Sequence, residues 1–181
     1  SHEQNTDIVL VDTGNSYEGL CEYFNGKYIS YTEEHPITMN PFQIKREEWN
    51  IEKLGFLKNL VMLIWKGSQG TVTKTEDKLI EQVINEYYEA HFGKDCIGRL
   101  CFNSFYEFST RRIPEICDEN GLRGIDLASY NYLLKEFYKG GSHELTLNEN
   151  MDSSLFDETF IVFEIDSIKD DPLLFPLVTL I

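Results

Sequence analysis

The sequence has little positive charge: 16 Lys and Arg residues stand against 31 Asp and Glu residues, and the formal net charge is −15. Proteins that bind free nucleic acid rely on clustered Lys and Arg side chains to contact the phosphates. We therefore expect no direct nucleic-acid binding from this acidic segment. Such a balance is typical of a soluble cytoplasmic protein surface, or of a surface that docks on a basic partner.

The sequence also lacks a signal peptide and any apolar run long enough to span a bilayer. It contains only four cysteines, of which Cys96 and Cys101 are close, as C-x4-C. No second Cys pair or His cluster completes the spacing of a zinc site, so we expect no metal site. Four cysteines over this length do not form a disulfide framework, and buried free thiols are the default expectation.

A phosphate-binding loop of the form G-x-x-x-x-G-K-[ST] is absent. The first apolar strand begins within the first eight residues, which leaves no room for such a loop and its helix before it. The last residues, 177–181 (LVTLI), form an apolar run without a cap or a polar tail. Both ends therefore look cut, and we expect these 181 residues to be part of a longer protein.

What is present indicates an α/β fold. Residues 7–12 are apolar up to a final acid, which is typical of a parallel strand buried on both faces. Residues 27–31 and 159–165 predict two further strands, and Asn25-Gly26 is a turn signal of the kind that hairpins use. The pattern predicts a sheet core formed by residues 3–45 and 142–181, interrupted by a large helical insertion at residues 46–141.

The insertion shows helical periodicity in four stretches, at about residues 46–66, 73–91, 103–118 and 126–138. Gly67 predicts the end of the first helix, and Thr73 with Glu76 forms a capping-box pattern before the second. Pro114 lies inside the third, where we expect a kink or a break. Asp126 is a candidate N-cap of the fourth helix. After the last strand, Asp171 followed by proline predicts another helix start.

The candidate binding residues follow the first strand: Asp12, Thr13, Gly14 and Ser16. Ligands of open α/β sheets bind at the carboxyl ends of the strands, so these residues could hold a phosphate, a metal ion or a water. The alternative is a simple turn, in which the acid bonds its own backbone and Gly14 supplies a positive φ. We favour the turn on the residues alone, and we assign no catalytic residue.

Three other sets of residues could be either functional or purely structural. The pair Arg111-Arg112 could reach a nucleotide on a neighbouring subunit, but a solvated pair on a helix is favoured. His91 lies on an apolar helical stripe, which favours a core or rim histidine. Acids follow the last strand at Asp166 and at 170–171, where they could reach a metal ion or simply cap and solvate a loop.

Four segments in this order and spacing resemble one family: residues 11–17 (VDTGNSY), 36–42 (PITMNPF), 160–166 (FIVFEID) and 174–181 (LFPLVTLI). The family is that of the TraG-type conjugation ATPases, the VirB-like motor proteins of type IV secretion and conjugative transposons. The resemblance runs from about residue 4 to residue 181. It implies a partial P-loop-NTPase-like sheet core that lies between the Walker A and Walker B motifs of the family.

The resemblance further implies a parent protein that uses ATP and Mg²⁺, self-associates as a hexamer or another oligomer, and works with other type IV secretion components. The parent would power DNA or protein transfer at the cytoplasmic face of the inner membrane. Asp12, Thr13, Gly14 and Ser16 would then lie at the nucleotide edge. Because Walker A and Walker B residues position the phosphates and Mg²⁺, we predict that this segment alone contains no cofactor and does not hydrolyse ATP.

Two other interpretations remain open on the sequence. One is a complete, acidic protein-interaction module without catalytic activity, whose sheet edge recruits a partner. The other is an α/β-hydrolase-like enzyme, which is disfavoured because no nucleophile and base stand out as a pair.

Overall fold

The computed structural model describes residues 8–14, 16–32, 34–94, 97–151, 155, 158 and 160–180. The chain divides into two compact units. Residues 1–39 and 150–181 form an α/β unit, and residues 40–149 form a helical unit. The predicted domain limits at 45/46 and 141/142 stay predictions; the contacts assign residues 40–45 and 142–149 to the helical unit.

In the part of the α/β unit that the structure describes, three strands form a parallel sheet. Strand β1 is Ile8–Asp12, β2 is Lys27–Ser30 and β3 is Phe160–Glu164. The strand order is β1-β3-β2, so the last strand in sequence lies between the first two. The α/β fold predicted from the sequence is therefore confirmed, with all strand pairs parallel.

The prediction that the first strand is buried on both faces is wrong. Ile8, Val9 and Val11 are each about half exposed, at 48%, 54% and 47%. The physical reason is that β1 pairs with β3 alone among the residues that the structure describes. In contrast, the central strand β3 has the buried profile expected of a strand with a neighbour on each side.

The link between β1 and β2 is a helix, α1 (Glu18–Tyr23), and not a hairpin. Asn25 has a positive φ of 52° and turns the chain from α1 into β2, which confirms the turn predicted at Asn25-Gly26. Gly26 lies against β3: an added Cβ would approach the Phe160 carbonyl oxygen to 2.6 Å. The close approach explains why a glycine occupies this position.

One small apolar cluster connects α1 to the sheet. Cys21, Phe160 and Val162 are buried together, and Leu10 and Tyr28 pack against them. After β3 the chain forms a short 3-10 turn at Asp166–Ile168 and then α6 (Leu174–Leu180). Asp171 accepts hydrogen bonds from the amides of Leu173 and Leu174, at 2.9 and 2.8 Å, as expected of a cap. The helix itself begins at Leu174 and not at the predicted first position, Pro172.

The described residues of the helical unit form four α-helices. They are α2 (Ile51–Lys66), α3 (Lys74–Phe92), α4 (Phe102–Asn120) and α5 (Leu127–Leu134), followed by a 3-10 turn at Lys135–Phe137. The predicted starts at Thr73 and Asp126 are confirmed, because each side chain accepts a hydrogen bond from the amide three residues on. Gly67 ends α2 with a positive φ of 75°.

Two helix predictions need correction. The stretch from residue 46 is not one helix: a 3-10 turn covers Arg46–Glu48, and α2 begins after Asn50, whose side chain caps it by accepting from the Lys53 amide at 2.9 Å. Of the kink or break predicted at Pro114, the break is excluded, because α4 continues through this residue, and the kink stays a prediction. Buried neighbours such as Ile113 and Ile116 hold the helix against the cost of about 3 kcal/mol for an interior proline.

An aromatic core fixes the packing of the helical unit. Phe42 is fully buried and contacts the rings of Tyr87, Phe102 and Phe105, with centroid distances of 5.2–6.3 Å. The Tyr88 hydroxyl donates to the Phe42 carbonyl at 2.8 Å. Residues before the predicted insertion therefore belong to its core, which explains why the contacts place the unit's start at residue 40.

Candidate functional site

The carboxyl ends of the three parallel strands meet at one edge of the sheet, and each strand ends there on a polar residue. Asp12 of β1 is in register with Glu164 of β3, which is in register with Ser30 of β2. In-register residues of parallel strands point to the same face. Asp12 and Glu164 are buried, at 3% and 6% exposure, whereas Ser30 is exposed.

Asp12 organises the loop that follows β1. One carboxylate oxygen accepts a hydrogen bond from the Gly14 amide at 3.0 Å, and the other accepts from the Tyr17 amide at 3.1 Å. Tyr17 is the residue before α1, so this carboxylate connects the end of the strand with the start of the helix. The Asp12 side chain therefore has the structural role that the turn interpretation assigns to it.

The other candidate residues lie on the loop surface. Thr13, Gly14 and Ser16 are exposed at the carboxyl edge, and Asn15 is outside the described residues. Gly14 does not have the positive φ that the turn interpretation predicts, and an added Cβ would meet only the Ser16 hydroxyl, at 3.4 Å. The loop thus presents two hydroxyls to solvent next to the buried acid.

Glu164 ends the central strand β3, between Asp12 and Ser30, and was not among the candidate residues predicted from the sequence. Its carboxylate accepts from the Asp166 amide at 2.6 Å, and its carbonyl accepts from the Tyr31 amide at 2.8 Å. Asp166, the acid that the sequence suggested at this place, lies beyond the strand and pairs with Lys169 at 3.1 Å. The available signal was the alternation of β3, in which residues 160, 162 and 164 share one face.

Negative charge dominates this edge. Burial raises the pKa of the Tyr28 phenol, and the nearby Glu164 and Asp12 carboxylates raise it further. By sequence, 14 of the 31 acidic residues but only two of the 16 basic residues fall in the α/β unit. The two cations are Lys27, which begins β2 at the opposite edge, and Lys169, which is paired with Asp166.

These residues do not by themselves fit a nucleoside triphosphate. Phosphates are held in proteins by backbone amides and by Lys or Arg side chains. Here the amides of Gly14 and Tyr17 are used by Asp12, and the edge has no unpaired Lys or Arg among the residues that the structure describes. Within those same residues, no group of three or more His, Cys, Asp or Glu side chains could hold a metal ion.

The remaining sequence candidates lie in the helical unit and have structural partners. Arg112 forms ion pairs with Glu86 of α3 at 2.5 Å and with Glu119 at 2.8 Å. Arg111 is largely exposed and contacts Glu115 at 3.4 Å. His91 packs edge-on against Phe92. Cys101 is a buried free thiol like Cys21 and Cys117, and Cys96 is outside the described residues.

Comparisons with known proteins point to one family. A family model described as the TraG P-loop domain matches residues 1–181. A comparison with curated proteins gives no match. The structure is similar to VirB4 of Thermoanaerobacter pseudethanolicus, with a TM-score of 0.61 and 18% sequence identity.

The similarity to VirB4 covers 92% of this chain but 44% of the VirB4 chain. The chain therefore spans less than half the length of that relative. At this identity the similarity establishes the fold, and the P-loop-NTPase-like core predicted from the sequence is confirmed. Among the helices that the structure describes, none has the length and apolar character needed to cross a bilayer.

Proposed function

The chain belongs to the family of TraG P-loop domains, and on that premise we propose that it is a segment of a conjugation motor ATPase of type IV secretion. The intact motor would use ATP and Mg²⁺ to power DNA or protein transfer. It would self-associate, as a hexamer, and act with other secretion components at the cytoplasmic face of the inner membrane. The observation that carries the proposal is the family match over the full length of the chain.

In this proposal the carboxyl edge of the sheet forms one wall of the nucleotide site. The loop after β1 brings the hydroxyls of Thr13 and Ser16 and the backbone at Gly14 to the edge where open α/β sheets bind ligands. Asp12 acts on the nucleotide indirectly, because its carboxylate holds the loop through two amides. The other walls, and the cations that phosphates need, would come from parts of the motor outside these residues.

The same observations support the proposal that these 181 residues alone do not hydrolyse ATP. The sequence contains no G-x-x-x-x-G-K-[ST] loop. Phosphoryl transfer depends on positioned cations and amides around the phosphates. An edge with two buried carboxylates and no unpaired Lys or Arg among the described residues repels a nucleoside triphosphate.

The first test is the coding sequence on either side of this segment. A Gly-rich loop ending in Lys-Ser or Lys-Thr upstream, with an apolar strand ending in acids downstream, would support the motor segment. A stop codon directly after Ile181 would instead support a complete acidic binding module.

The second test is made in the longer protein that contains those flanking motifs. The double substitution Thr13→Ala and Ser16→Ala should lower its ATP turnover at least tenfold if this loop lines the nucleotide. The matched control is Ser68→Ala with Thr71→Ala, two exposed hydroxyls in the α2–α3 connection. Equal turnover in both double variants would contradict the placement of the nucleotide, while leaving the family membership intact.

A further inference from the structure

Helix α1 exposes an apolar surface that the α/β unit does not cover. Its aromatic end consists of Tyr23, which is 82% exposed, and Phe24, which is 54% exposed. The two rings contact each other at 5.1 Å, and Phe24 stacks on Phe160 of β3 at 5.7 Å. Leu20 lies one turn before them and is 41% exposed. We call these residues, with Tyr17 at the helix start, the α1 patch.

Helix α1 buries less of its surface than a surface helix usually does. Of the six residues of α1, only Cys21 is buried against the sheet. A contiguous exposed apolar surface with polar edges is typical of a protein-interaction site, whereas single exposed apolar residues are common everywhere. Leu20 precedes Tyr23 by three residues and Phe24 by four, which places it beside both on the helix surface. The rings of Tyr23 and Phe24 contact each other directly.

Acidic residues frame the α1 patch. Glu18 and Glu22 are exposed on α1 itself. Burial raises the pKa of the Cys21 thiol, and the carboxylates of Glu158 and Glu22 raise it further. The nearest basic residue in the sequence is Lys27, at the start of β2.

From this arrangement we infer that the α1 patch docks a basic amphipathic segment of another protein. The apolar residues of that segment would cover Leu20, Tyr23 and Phe24, and its Lys or Arg side chains would pair with the surrounding acids. Charge complementarity selects the partner, because opposite potentials steer association and like charges prevent it. The α1 patch begins at Tyr17, directly after the loop that forms the proposed nucleotide edge. The inference does not depend on that edge binding a nucleotide.

The charge distribution argues against a second copy of this chain as the occupant. The α/β unit carries 14 acidic and two basic residues, and the helical unit carries 17 acidic and 14 basic residues. Neither unit has a net positive charge that would complement a patch with acidic edges. A partner with a surplus of Lys and Arg supplies what both units lack.

The test uses the 181-residue protein and three synthetic peptides of equal length. The first is an amphipathic helix of Lys and Leu, the second replaces each Lys with Glu, and the third keeps each Lys but replaces each Leu with Ser. Fluorescence anisotropy of labelled peptide gives the dissociation constants at low and at physiological salt. We expect binding of the first peptide only, weakened by salt.

Two variants locate the binding. Tyr23→Ser should weaken binding of the Lys-Leu peptide about tenfold, because a central exposed aromatic contributes on that scale. Tyr132→Ser is the matched control: this tyrosine is 79% exposed, on α5 of the helical unit, and its loss should leave the affinity unchanged. Glu18→Gln with Glu22→Gln should slow association and reduce the salt dependence.

Three outcomes would overturn the inference. One is equal binding of the Lys-Leu and Lys-Ser peptides, which indicates a purely electrostatic association. Another is equal affinity of the Tyr23→Ser and Tyr132→Ser proteins for the Lys-Leu peptide. The third is a concentration-dependent dimer that Tyr23→Ser abolishes, which would assign the α1 patch to a second copy. Circular dichroism and thermal melting verify that each variant is folded.

Discussion

Asp12 and Glu164 lie in register at the carboxyl ends of β1 and β3, and both side chains are buried. Neighbouring strands are about 4.8 Å apart, so two like charges in such a row repel each other. Backbone amides compensate this repulsion: Asp12 accepts two of them and Glu164 accepts one. The two carboxylates at this edge are therefore stabilised by hydrogen bonds from the backbone amides of the loops that follow the strands.

The first prediction concerns the loop that Asp12 holds. Asp12→Ala removes two charge-assisted hydrogen bonds and should lower the free energy of unfolding by about 1–3 kcal/mol. Asp12→Asn keeps an acceptor and relieves the repulsion with Glu164, so its cost should be smaller. Urea denaturation followed by circular dichroism measures both. Asp170→Ala is the control, because that acid is exposed, and its change should stay within about 0.5 kcal/mol.

The second prediction separates the two adjacent arginines of α4. Arg112 is one-fifth exposed and pairs with Glu86 and Glu119, so Arg112→Ala should lower the free energy of unfolding by about 1–2 kcal/mol. Arg111 is 61% exposed, forms one long ion pair with Glu115 and lies over the Phe108 ring, so Arg111→Ala should change the free energy of unfolding by only about 0.5 kcal/mol. Equal losses of stability in the two variants would show that the ion pair between Arg112 of α4 and Glu86 of α3 contributes no more than an exposed contact does.

These results show which parts of the fold could be predicted from the sequence. The strands at residues 8–12 and 160–164, the capping box at Thr73 and the cap at Asp126 are local patterns of a few residues, and the structure confirms them. The family resemblance also rests on short motifs in order, and the family match confirms it.

What the sequence did not provide depends on residues far apart in the chain. Glu164 lies at the centre of the carboxyl edge only because β3 is between β1 and β2, and no local sequence pattern predicts that strand order. Phe42 belongs to the core of the helical unit through contacts with residues more than 40 positions away, such as Tyr88. The half-exposed face of β1 has the same origin, since apolar residues indicate a strand but not which neighbours it has.

The third prediction concerns the start of α3. Thr73 accepts from the Glu76 amide at 3.1 Å, and the Glu76 carboxylate accepts from the Thr73 amide at 2.9 Å. Thr73→Ala should lower the free energy of unfolding by about 1 kcal/mol, because one amide of the first turn loses its acceptor. Thr73→Ser keeps the hydroxyl and should have nearly wild-type stability. A serine variant as unstable as the alanine variant would assign the effect to the methyl group instead.

The fourth prediction is a pH dependence that originates at Glu76. Burial raises the pKa of this carboxyl, but hydrogen bonds from Lys66 and Thr73 outweigh burial, and the net shift is downward. A lowered pKa stabilises the folded state above the unfolded pKa of about 4.3, and the contribution is lost as the pH falls through the lower folded value.

Glu76→Gln should therefore reduce stability at pH 7, and its difference from the wild type should shrink below about pH 4. Denaturant midpoints measured from pH 7 to pH 3 give this difference. Glu89→Gln is the control on the same helix, since Glu89 is exposed. A Glu76→Gln difference that stays constant over this pH range would contradict the assigned role of its ionised form.

The most direct test of the central claim is steady-state phosphate release by the purified 181-residue protein with ATP and Mg²⁺. In the proposed function the edge of the sheet supplies only one wall of a nucleotide site, and it offers no unpaired Lys or Arg for the phosphates among the described residues, so the rate should equal that of the protein-free control. Turnover that scales with protein concentration, requires Mg²⁺ and falls in the double variant Thr13→Ala, Ser16→Ala would contradict the account. Such turnover would place a complete catalytic site within these residues.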